Sequence, residues 1–191
     1  MNLLEYLKER GYGWLLEKVV KYLPSLPDPS TVVVVPWERS LCRDNKRAYG
    51  CAWKEGGKWY VSFKSFHGPD MCTVLHELVH VAGGGEVEAY NYVYALMYAI
   101  NNDLPPFDLL KLRHVRLKEL ESISKKLFGI SLPELFVARG IIPYCINMDG
   151  SWKELPEDAI VECVLAEIFS GLVYNDPVSV KFFSELVKLA R

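Results

Sequence analysis

The first twenty residues, MNLLEYLKERGYGWLLEKVV, place charges every few positions between apolar ones. That spacing predicts one or two amphipathic helices over 1–23, broken around Gly11–Gly13. LPSLPDPS (23–30) is proline-rich and reads as a linker. TVVVV (31–35) is short and β-branched throughout, which predicts a buried strand. AYGCAWKEGGKWYVSFKSF (48–66) then sets two runs of aromatic and β-forming residues around EGGK, the signature of a hairpin. HGPD (67–70) closes it, with Asp70 placed to cap the next helix.

That helix spans about 70–82 and is apolar over most of its surface. GGG (83–85) must end it, because each glycine inside a helix costs roughly 1 kcal/mol. A second helix starts at about Glu86, runs through EVEAYNYVYALMYAINN and stops at NNDLPP (101–106). The remainder reads as helices over about 106–128, 132–138, 156–174 and 177–190. Asp176-Pro177 gives the last of these a cap and a proline at its first position. The order predicts an α+β chain with a small antiparallel or mixed sheet, whose hairpin packs on the 70–82 helix, followed by a mainly helical C-terminal part. We expect a single domain, 1–191. Its upper part (1–102) holds the sheet and the two central helices. Its lower part (103–191) is helical and forms the lower side of a cleft.

Composition narrows the function classes. A chain of 191 residues with 50% hydrophobic positions has ample material for a core. A net charge of −2 and a pI near 6.1 argue against bulk electrostatic binding to nucleic acid or acidic lipid. The basic run RDNKR (43–47) is too short to change that and reads as loop decoration. The opening segment does not resemble a secretory signal, and no apolar stretch reaches the 18 or so residues of a membrane helix. The expected location is therefore cytoplasmic, with no membrane partner. Five cysteines form no CxxC pair, so a structural zinc knuckle is not expected. Cys42 and Cys51 flank a loop and can bridge, and the odd count leaves one thiol over.

The chemistry concentrates in MCTVLHELVH (71–80). His76 and His80 are four apart and share one helical face, so both imidazoles can bind one ion. Glu77 lies between them and can reach a water beside that ion as a general base. Zinc suits two imidazoles and a carboxylate, with the fourth position left for water. The carboxylate must follow the glycine turn, and both Glu86 and Glu88 are available. The short turn favours Glu86; acids in a first helical turn also simply match the helix dipole. Cys72 lies one turn before His76 and is expected in the core, and His67 is expected in a surface turn.

Together the stretch reads HExxHxxGxxE, and it resembles the zincin metallopeptidases, most closely their gluzincin side. The hairpin elements GCAW (50–53), EGGK and KWYVS (58–62) stand where that family has its substrate-binding hairpin, and the run-up is also similar to SprT-like and ImmA/IrrE-like domains. The resemblance implies a zinc-dependent metallopeptidase with a zincin-like fold. His76, His80 and Glu86 would be metal ligands and Glu77 the catalytic base. A peptide or protein substrate would lie along the edge strand, on Gly50, Cys51, Ala52 and Trp53. Two features differ from the gluzincin pattern. Tyr90 stands where an aspartate usually orients a histidine, and the turn before Glu86 has the metzincin length, for which Met148 in CINMDG (145–150) is the candidate methionine turn. The Tyr90 departure favours an alternative reading, a catalytically weak or inactive metal-binding regulatory protein of the same fold.

Overall fold

The first helix starts where its cap dictates. The Asn2 side-chain oxygen accepts a hydrogen bond from the Glu5 amide, and the Glu5 carboxylate accepts one from the Asn2 amide, a reciprocal capping box. In the computed structural model, which describes Met1–Arg191, α1 (Leu3–Glu9) and α2 (Gly13–Val19) follow one another with the expected break between them. The chain divides into two compact units, Met1–Pro106 and Phe107–Arg191.

The N-terminal unit is α+β with a three-stranded mixed sheet. The predicted first strand is cut down to β1 (Val33–Val34). Asp28 accepts a hydrogen bond from the Ser30 amide and winds Pro29–Thr31 into a 3-10 turn, so Thr31 never becomes extended. β2 (Gly50–Glu55) and β3 (Lys58–Phe63) form the hairpin. β1 pairs parallel to β3 on its other side, so the order is β1-β3-β2 and β2 is an edge strand. α3 (Met71–Val81) and α4 (Glu86–Asn101) follow, and α3 packs against both β2 and α4. Tyr6 and Phe63 stack in the core at 5.4 Å. The Tyr22 hydroxyl donates to the Leu104 carbonyl at 2.6 Å and ties the end of α2 to the segment after α4.

The C-terminal unit is helical: α5 (Leu117–Phe128), α6 (Leu132–Ala138), α7 (Glu157–Val173) and α8 (Pro177–Leu189). The expected helix over 106–128 is split. Leu109–His114 is 3-10, and Val115 and Arg116 are extended. Capping wins there, because Glu119 accepts from the Arg116 amide and the distant Glu157 from the Leu117 amide. Asp176 caps α8 as its sequence predicts, accepting from the Ser179 amide, and pairs with Arg139. A disulfide between Cys145 and Cys163 fastens the 139–156 loop to α7. No helix of the chain is long and apolar enough to cross a membrane.

Candidate metal centre

Three short elements of the N-terminal unit build the site. Asp70 caps α3 by accepting from the Thr73 amide at 2.7 Å. This fixes the helical phase, so His76 and His80 come out on one face and Glu77 turns under it. At the other end, the Gly83 amide donates to the His80 carbonyl and the Gly84 amide to the Val79 carbonyl, both at 2.9 Å. These two bonds are a Schellman stop, and Gly83 takes the φ of +107° that such a stop needs and a side chain resists. The chain reverses within three residues and α4 begins at Glu86. Side chains in a helix lean towards its N-terminus, so Glu86, in the first turn of α4, leans back over α3.

His76, His80 and Glu86 converge: their ligand atoms all lie within 4.8 Å of one another. Glu86 Oε1 is 3.1 Å from His76 Nε2 and 3.4 Å from His80 Nε2. Donors of a tetrahedral zinc site, each about 2.0–2.1 Å from the ion, stand roughly 3.4 Å apart; the two Glu86–histidine spacings come close to that, and the cluster could hold a metal ion. His80 Nδ1 lies 3.0 Å from the Gly84 carbonyl. A carbonyl can only accept, so Nδ1 carries the proton. In the neutral ring Nε2 then holds a lone pair, aimed at the same small space as the Glu86 carboxylate, an arrangement that a cation relieves. Glu88 has a different task. It accepts from the Gly85 amide at 2.5 Å and caps α4. Of the two candidate acids, the structure brings Glu86 to the histidines.

Glu77 is only 3% exposed. Its Oε1 is 3.8 Å from His76 Nε2, and its Oε2 has no hydrogen-bond partner. Burial, and then the Glu86 carboxylate, push its pKa up to about 8. Burial, followed by the nearby His80, holds His76 below the ordinary histidine value, although Glu86 opposes this. Tyr90 presents an aromatic contact to His76, with ring centroids 4.8 Å apart and planes at 72°.

A cleft of about 570 Å³ opens over the cluster, and its lining runs from Cys42 to Tyr94. Gly50, Cys51 and Ala52 line it; Trp53 does not, and its indole stacks on Tyr60 at 5.6 Å. The Tyr49 carbonyl accepts from the Lys64 amide. By the alternation of an antiparallel ladder, Cys51 and Trp53 then turn their backbone groups to β3, whereas Gly50 and Ala52 turn theirs to the open edge. Cys51 is bonded to Cys42, which pins the loop before β2 against that strand. Cys72, expected in the core, is instead exposed at the cleft, with its sulfur 3.4 Å from that of Met97. Its place on α3 explains this, since the helix turns the Cys72–His76 face outward and the Val74–Leu75 face inward. His67 and His114 are exposed, and Met148 is 84% exposed, so it forms no buried methionine turn. RDNKR (43–47), read from the sequence as loop decoration, supplies Asn45 and Arg47 to the cleft wall, and Tyr49 joins them there. Comparison with family models, with curated proteins and with solved structures returned no match, and the chemistry of the site therefore rests on its own atoms.

Proposed function

We propose that this chain is a zinc-dependent metallopeptidase with a zincin-like core. His76, His80 and Glu86 hold the ion and Glu77 is the general base. The observation that carries the reading is the convergence of two imidazoles and a carboxylate from two helices: the ligand atoms of His76, His80 and Glu86 all lie within 4.8 Å of one another. The buried Glu77 carboxyl adds to it, with Oε1 3.8 Å from His76 Nε2 and Oε2 without a partner, because a buried carboxyl left unpaired is costly unless function retains it.

When bound, zinc supplies positive charge that lowers the pKa of a neighbouring water towards 7 and favours the ionised form of Glu77. Glu77 takes a proton from the attacking water as the water oxygen bonds to the substrate's carbonyl carbon. It passes that proton to the leaving nitrogen as the carbon–nitrogen bond breaks, giving a carboxylic acid and an amine. The substrate lies extended on the open edge of β2, hydrogen-bonded to the backbone of Gly50 and Ala52.

Glu77→Gln tests the assignment. The variant should bind zinc as the wild type does and lose about 10²-fold or more of its turnover on a quenched peptide library. Equal turnover in both proteins would remove Glu77 from its role. Tyr90, which offers His76 a ring edge and no carboxylate, favours a second reading, a catalytically weak or inactive metal-binding regulatory or interaction protein. Full zinc binding with no wild-type turnover on any peptide supports that one.

A further inference from the structure

We propose that Arg47 reads a carboxylate on the substrate, so that the cleft selects peptides carrying a negative charge close to the bond to be cut. This deepens the peptidase reading above and rests on it. The charge can come from an acidic side chain or from a free C-terminal carboxylate.

The loop that carries Arg47 is fastened to the sheet at three points. Ser62 Oγ donates to Ser40 Oγ at 2.6 Å, with both residues wholly buried. Cys42 is bonded to Cys51 of β2. The Tyr49 carbonyl accepts from the Lys64 amide at 2.9 Å, and Lys64 Nζ reaches back to the Lys46 carbonyl at 3.3 Å. Between the anchors the loop is turned on itself. Asn45 Oδ1 accepts from the Arg47 amide at 3.0 Å, and the Asn45 carbonyl accepts from the Ala48 amide at 3.2 Å. The Arg47 backbone is therefore held on the cleft wall rather than on a free loop.

The run RDNKR resolves into residues with different tasks. Arg43 spends a guanidinium nitrogen on the Ser40 carbonyl at 3.2 Å. Arg47 lines the cleft, and its guanidinium has neither an ion pair nor a hydrogen bond within the chain. The acids of the cleft lining are Glu77 and Glu86, and both belong to the proposed metal site. Tyr90, Val93 and Tyr94, which line the cleft from α4, bring no charge. A planar five-donor fork with no internal acceptor matches a carboxylate, which it can take with two parallel bonds.

The test measures kcat/KM on one peptide frame, with Glu, Gln or Lys at successive positions around the cleaved bond and the C-terminus free or amidated. Binding of the same peptides to zinc-loaded Glu77→Gln protein gives a second readout where turnover is slow. Wild type should favour the carboxylate-bearing peptide by about tenfold. Arg47→Gln should abolish that ratio, mainly through KM, and Arg47→Glu should reverse it in favour of Lys. Loss of the preference on amidation assigns the C-terminal carboxylate, and loss on Glu-to-Gln exchange assigns the side chain. Releasing the loop with Cys42→Ser should weaken the preference, and Arg47→Gln should then add little. The same ratio in wild type and Arg47→Glu would overturn the proposal. Cleavage with no charge preference sinks this inference alone, whereas a wild type that neither binds nor cleaves any peptide sinks the peptidase reading with it.

Discussion

Glu77 keeps one carboxyl oxygen without a partner in a nearly closed site, and its pKa is pushed up to about 8 from an ordinary 4.5. A raised folded-state pKa means that the folded, metal-free protein holds its proton while the unfolded chain has already lost it. The associated stability is complete below pH 4.5 and is lost as pH rises to about 8. Its size is on the order of a few kcal/mol. Glu77→Gln removes this dependence. In metal-free protein, the melting temperature of the variant should therefore gain on that of wild type as pH rises from about 5 to 8. The difference between the two proteins isolates Glu77 from His76, whose depressed pKa acts with the opposite slope. A constant difference across that range would show that Glu77 ionises normally in the fold.

At the scale of elements, β2 and α3 meet closely because Gly50 has no side chain. A Cβ there would lie 2.9 Å from Glu77 Cγ and 3.1 Å from Thr73 Cγ2. Gly50→Ala must push the edge strand away or swing Glu77 aside, at a cost of about 1–3 kcal/mol. The variant should melt lower and turn peptides over more slowly while still binding zinc; unchanged melting and turnover would contradict this packing. Much of the element order could be read from the sequence, because its signals are local. The EGGK turn, the Asp70 cap, the glycine stop and the Asp176-Pro177 start each act within a few residues. The apolar and polar patterns of α3 and α4 placed His76, His80 and a following glutamate correctly on their helices. What the sequence hid depends on distant partners. Glu157 helps to end the turn before α5 from 40 residues away, and the Cys145–Cys163 bridge depends on where the 139–156 loop lies. The tautomer of His80 is set by a backbone carbonyl, which no side-chain pattern announces. The tether of the 40–49 loop was half visible in Cys42 and Cys51, but the Ser40–Ser62 bond that completes it was not.

For the whole molecule, the candidate centre and its cleft belong to the N-terminal unit, Met1–Pro106, and the C-terminal unit is a helical assembly with its own apolar core. Each unit carries one disulfide, Cys42–Cys51 and Cys145–Cys163, and Cys72 remains a thiol. Such crosslinks persist in oxidising compartments and in the cytosol of hyperthermophiles. The proposed chemistry requires a cation at His76, His80 and Glu86. Its most direct test is the zinc content of protein purified without chelator, measured on wild type and on Glu86→Ala and Glu88→Ala. Close to one equivalent is expected in wild type and in Glu88→Ala, and a clear loss in Glu86→Ala. Less than about a tenth of an equivalent in wild type would contradict it.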